Sequence, residues 1–151
     1  MSKLAVAKKA LVEEARTGVG SPRLEALVEA MFLAATADGD FGTEESHRLA
    51  ATIEELGSKH LDALVIRHHL EGLGKYLADE GRAARLATLA TRLPTDVMRE
   101  TALILAASIT ASDGRLLASE IQLLSELADA LLIPKDRAID LVQKMHENMG
   151  D

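Results

Sequence analysis

The chain has 151 residues and a formal net charge of −7, and it is 48% hydrophobic but only 2% aromatic. An acidic chain with almost no stacking surface lacks the two sources of nucleic-acid affinity, phosphate neutralisation and base stacking. It has no cysteine, which excludes disulfides, thiolate zinc sites, iron–sulfur ligation and cysteine nucleophiles.

Helical periodicity covers nearly everything outside short connections. Lys3 to Arg16 reads as an amphipathic helix closed by Gly18 and Gly20, with Lys8, Lys9 and Glu13 on a solvated face. Ser21-Pro22 supplies a cap and a first-position proline. The helix that follows carries Leu24, Leu27, Val28 and Met31 as one stripe and runs to Ala37. Thr43 is expected to cap a third helix, with Leu49, Ile53 and Leu56 inward and Gly57 at its end. A fourth starts at Ser58 or Lys59, carries Leu61, Leu64 and Val65 on one side and heads for Leu77, weakened by Gly72 and Gly74.

After a break near Asp79 to Gly81, a helix over Arg82 to Arg92 is stopped by Pro94. Thr95 caps the next, which runs through Ser112. Its uncharged stretch from Thr101 reads as buried and is too short to span a bilayer. Ile121, Leu124, Leu127 and Leu131 mark another helix, and Pro134 opens a last one with Ile139, Val142 and Met145. The expected fold is all-α: a compact bundle of about seven to eight helices in a single domain over residues 1–151, its core built from aliphatic side chains. Met1-Ser2-Lys3-Leu4 opens no long apolar signal core, so the expected location is cytoplasmic, with no direct membrane insertion.

One short pattern occurs twice, 75 positions apart: Asp38-Gly39-Asp40-Phe41-Gly42-Thr43-Glu44-Glu45 and Asp113-Gly114-Arg115-Leu116-Leu117-Ala118-Ser119-Glu120. Both read Asp-Gly, any residue, an apolar residue, three more, then Glu. The register continues, since Leu49 matches Leu124 and Leu56 matches Leu131. The chain thus reads as two related helix-turn-helix units, each with an acidic turn. Gly39 and Gly114 suit a sharp reversal, Phe41 and Leu116 return the chain to the core, and Glu45 and Glu120 sit in a first helical turn where negative charge is favoured.

The spacing equals the second half of a calcium-binding EF-hand loop. Positions 1 and 3 of that loop fall on Ala34 and Thr36 in the first copy and on Ile109 and Ala111 in the second. Apolar side chains there cannot ligate a hard cation, so each turn alone has too few oxygens and a shared site requires the turns to lie together. Asp38, Asp40, Glu45, Asp113 and Glu120 are the candidate ligands, with calcium favoured because carboxylate oxygen suits a hard divalent ion. The alternative is structural: Asp-Gly is a common turn dipeptide, and Glu in a first turn is ordinary capping electrostatics.

Other constellations are weaker. Glu44-Glu45-Ser46-His47 has the Glu-x-x-His spacing of di-iron bundles, but Ser119 and Gln122 stand in the corresponding places of the second copy. His68 and His69 point about 100° apart on a helix, and His68 shares the stripe of Leu61, Leu64 and Val65. No nucleophile elbow or phosphate loop is present, so no catalytic residue and no organic cofactor are expected.

An Ala-rich helical run, then Ala37-Asp38-Gly39 with Glu44-Glu45, and later Ser112-Asp113-Gly114 with Glu120, resembles the tellurite-resistance TerB family, a domain type also found in a DnaJ-like co-chaperone. The likeness covers Leu24 to Leu132. It implies a compact all-α domain whose halves pack with pseudo-twofold symmetry, bringing the acidic turns together. It also implies metal binding at Asp38, Glu45, Asp113 and Glu120, with Asp40 as an addition. A role in bacterial stress response, phage defence or metal sensing would follow, exercised with a membrane-bound partner at the inner face of the membrane. Arg115 and Ala118-Ser119 depart from the acid-rich pattern of relatives. The expected function is a non-enzymatic, metal-responsive module acting through protein partners. The alternatives are a helical interaction scaffold without a metal site and, further off, a metal-assisted hydrolase.

Overall fold

The computed structural model describes residues 2–17, 21–39, 41–111 and 116–149, apart from the side chains of residues 17 and 146–149. Among the described residues there are nine helical segments and no strand: α1 (Lys3–Thr17), α2 (Pro22–Ala35), α3 (Thr43–Leu56), α4 (Ala63–Glu80), α5 (Arg82–Ala87), α6 (Leu89–Arg92), α7 (Asp96–Thr110), α8 (Ala118–Ala130) and α9 (Lys135–Met149). α5 and α6 are one helix interrupted at Thr88, which makes eight helices in a compact bundle. No helix among the described residues is long and apolar enough to cross a membrane.

Two helices form the centre. α2 starts where the sequence places it, with Ser21 Oγ accepting from the Leu24 N–H at 3.3 Å and Pro22 in the first turn. Every residue from Ala26 to Ala34 is buried. α7 starts at the Thr95 cap, whose Oγ1 accepts from the Met98 N–H at 3.2 Å, and is buried over Thr101 to Ser108. α2 packs along α7, α1 and α9 pack on α7, and α8 touches both central helices. Fully buried alanines at four-residue spacing, Ala26, Ala30 and Ala34 in α2 and Ala102 and Ala106 in α7, give low ridges to this pair. The buried hydroxyls of Ser108 and Thr110 donate to the Leu105 and Ala107 carbonyls, at 2.6 and 2.7 Å, so neither enters the core unpaired.

Several boundaries differ from the sequence reading. α2 ends at Ala35 rather than Ala37, and α3 is capped by Gly42, with Thr43 as its first helical residue. The largest difference is in α4. Ser58 and Lys59 take φ values of 54° and 64°, incompatible with a helix start. The helix begins at Ala63 instead, where the Asp62 carboxylate accepts from the Leu64 N–H at 2.7 Å. Its buried face is Ile66, Leu70 and Leu73, while Leu64 and Val65 are 69% and 45% exposed. The helix is therefore rotated relative to the expected stripe, and His68 is exposed while His69 is half-buried. It continues through Gly72 and Gly74 to Glu80.

One feature of the core is ionic. Glu29, in the middle of α2, is 1% exposed. Its Oε1 and Oε2 each accept from Arg85 at 2.8 Å, and Oε1 accepts again from Arg92 at 2.6 Å. Arg85 also pairs with Glu80 at 3.3 Å and lies over the Tyr76 ring, 4.8 Å from its centroid. Burial alone would raise the Glu29 carboxyl, but the hydrogen bonds and charges of Arg85 and Arg92 outweigh it and hold the group below its ordinary value. Replacing Glu29 by Ala leaves Arg85 only Glu80 and Arg92 only Thr88, and should lower the unfolding free energy by about 3 kcal/mol, read by urea denaturation at neutral pH. Because the folded-state value is depressed, the contribution is complete above the unfolded value of 4.5 and fades as the pH falls below it. The deficit of Glu29→Ala against wild type should therefore shrink in acid.

Candidate functional site

The first acidic turn leaves the end of α2. The Gly39 N–H donates to the Thr36 carbonyl at 2.9 Å, and Gly39 takes φ 90°, a conformation that favours glycine. Asp38 is exposed on this turn. Phe41 brings the chain back, packing edge-on against Phe32 with ring centroids 5.2 Å apart and an interplanar angle of 83°. At the start of α3 the Gly42 N–H donates to Glu45 Oε2 at 3.0 Å. A Cβ on residue 42 would sit 3.0 Å from that same oxygen, so glycine gives the carboxylate room to fold back.

The second helix start repeats this bond. The Leu117 N–H donates to Glu120 Oε1 at 2.8 Å, at the N-terminus of α8. In both places a Glu three residues into the helix reaches back to the amide that precedes it, one half of a capping box. Leu116 does not return to the core as expected. It is 36% exposed and lines a groove between α8 and α9 with Ile121 and Ile139, themselves 53% and 47% exposed. The buried side of α8 is taken by Leu123, Leu124, Leu127 and Ala128, which leaves Leu116 and Ile121 on its flank.

Residues of both turns meet. Asp38 and Glu45 from the first, and Glu120 from the second, line one cavity of about 230 Å³. Ala34 and Ala35 at the end of α2 and Ile109 near the end of α7 line it too, so the two central helices deliver their C-terminal ends to one place. Asp40 and Asp113 lie outside the described residues, as does Arg115. Among the described residues, no three His, Asp or Glu side chains are grouped closely enough to hold a metal ion. The carboxylates thus share a cavity without forming a chelate among themselves.

Arg48 is the residue that the sequence reading left out of the site. It lines the same cavity and pairs with Glu44 at 3.6 Å, with the two side chains 71% and 85% exposed. A solvated pair of this kind holds its arginine weakly. The signal was its position three residues after Glu45, on the same helix face. His47 is exposed and lines a separate depression toward α4, with Arg67.

The cap bonds can be separated from any other role of these acids. Glu45→Ala removes the acceptor for the Gly42 N–H and should cost about 0.5–1 kcal/mol, whereas Glu45→Gln keeps an acceptor oxygen and should cost less. Thermal unfolding of the two variants beside wild type checks the order. In comparison with known proteins, the chain matches no family model, no curated protein and no solved structure.

Proposed function

We propose that the protein is a non-enzymatic, TerB-like stress-response module that binds a divalent cation between its two acidic turns and acts through a protein partner. The observation that carries this reading is the sharing of one cavity by Asp38, Glu45 and Glu120, which come from turns far apart in the chain. The repeated reach-back bonds of Glu45 and Glu120, and the packing of α2 along α7, support the pseudo-symmetric arrangement of two helix-turn-helix units. Asp40 and Asp113 would add oxygens toward the six to eight that calcium takes. Carboxylate donors favour calcium over softer ions.

A bound divalent cation supplies charge neutralisation. Glu45 and Glu120 each belong to the first turn of a helix, so moving them moves the N-terminal ends of α3 and α8. Drawing them together would set the angle between those helices and present or withdraw a surface for the partner. In this reading the module works in the cytoplasm and reaches the inner face of the membrane only through a membrane-bound partner. A second reading is favoured by Arg48. Its guanidinium already supplies positive charge at the cavity, and both glutamates already serve as caps, as a scaffold without a metal site would require.

Calorimetric titration of chelator-treated protein with calcium, with zinc and magnesium alongside, separates the two readings. Saturable calcium binding is expected in wild type and should be lost in the Asp38→Asn, Glu45→Gln double variant, which retains an acceptor for the Gly42 amide. Absence of binding up to about 1 mM ion, the weak end of protein calcium sites, leaves the scaffold reading.

A further inference from the structure

Of the eighteen residues of α4, only Ile66, Leu70 and Leu73 are buried. The chain enters the helix after two non-glycine residues at positive φ, Ser58 and Lys59, and leaves it through Gly81 at φ 87°. Gly72 and Gly74 have no heavy atom within 4 Å of where a Cβ would stand, so neither position is close-packed, and both lower helix propensity. Leu64, Val65 and Tyr76 are exposed along its length. Few buried contacts and weakened local propensity put an element at the low-stability end of a fold.

His69 lies in this helix, half-buried. Its Nε2 is the one buried side-chain nitrogen or oxygen among the described residues that lacks a hydrogen-bond partner. Glu25 and Glu29 of α2, Arg92 of α6 and the neighbouring His68 are the charges that act on it. His60 and Asp62 stand at the rim of the adjacent apolar cavity of about 190 Å³ between α2 and the start of α4. None of the carboxylates supplies an acceptor. Both oxygens of Glu29 are held by Arg85 of α5, and one of them also by Arg92. Asp62 accepts from the Leu64 N–H, and Glu54 of α3 accepts from the Ala63 N–H at 3.1 Å. Glu25 makes no hydrogen bond to Nε2.

We propose that His69 is a pH-sensitive latch, so that protonation of its imidazole releases α4 from α2 before the rest of the fold opens. A charged ring in this position gains a second N–H where the docked helix leaves even the neutral ring unsatisfied. Undocking gives the ring to water. Burial holds the imidazole below its ordinary value of 6.5; the negative charges of Glu25 and Glu29 oppose that shift, while Arg92 and His68 add to it. The docked helix therefore binds fewer protons than the released one. Its stability is complete above pH 6.5 and declines as the pH falls through the range below. Release would uncover Ile66, Leu70 and Leu73 and the parts of α2 and α3 against which α4 packs. The latch does not depend on cation binding.

Amide hydrogen exchange at about pH 7.5 and about pH 5.5, expressed as protection factors corrected for intrinsic exchange, tests the latch across the range where histidine titrates. In wild type, protection over Ile66–Leu77 should fall severalfold at the lower pH while protection over Leu103–Ala107 of α7 stays the same. In His69→Leu the pH dependence over α4 should vanish. Equal α4 protection at both pH values overturns the proposal, as does a parallel loss in α7 or an undiminished pH response in His69→Leu. If that variant does not fold, NMR titration of the His69 ring protons in wild type decides. A midpoint below the ordinary histidine value supports the latch, and one at or above it overturns the latch.

Discussion

α2 and α7 have almost no polar side, and each can exist in water only if other helices enclose it. Their packing against each other is the constraint from which the rest of the architecture follows. α1 and α9 cover α7, α4 and α6 lie against α2, and α8 closes over both. Because the central helices end at a common cavity, whatever chain follows each end starts from that place. Asp38 lies just past the end of α2, and Glu120 opens the helix that follows α7. That Asp38, Glu45 and Glu120 line one cavity is a consequence of how the core is paired.

Glu29 is the exception inside the apolar pair. A carboxylate at 1% exposure is tolerable only because two guanidinium groups meet it with short hydrogen bonds. The arginines come from α5 and α6, the two short segments on either side of Thr88, which bury little surface of their own. The ion network thus anchors a region that apolar burial alone would hold poorly. The nearby His69 Nε2 makes no hydrogen bond with it or with any other group. One buried charge is fully compensated, and the cost appears as a neighbouring ring that must remain neutral to stay buried.

At the cavity the glutamates have a local duty before any ligand arrives. Glu45 and Glu120 each satisfy an amide that a helix terminus would otherwise leave open. This fixes the carboxylates at the edge of the cavity at little entropic cost, and it explains why glycine stands at position 42, where a Cβ would crowd the oxygen. Arg48, in a solvated pair with Glu44, gives the same cavity a positive charge of its own.

Most of the helices were legible in the chain itself, because the 3.6-residue period and the end signals act locally. Ser21, Pro22 and Thr95 start helices and Gly57 ends one, as their local chemistry suggests, and the repeat pointed to the two glutamates that reach back, Glu45 and Glu120. The α4 face was misread because Leu61 precedes the helix, so a row of apolar residues that looked continuous is split by the Asp62 cap. The exposure of Ile121 and Ile139 was invisible for a related reason: a periodic stripe does not tell which apolar residues a neighbour will cover. The partners of Glu29 lie 56 and 63 residues away, and a lone acid within an apolar run was the only sign of them. Local patterning by itself determined an all-α chain of short-linked helices. Only the tertiary structure decided that Asp38, Glu45, Glu120 and Arg48 share a cavity and that His69 is enclosed, because those facts depend on contacts between segments whose separation no local period encodes.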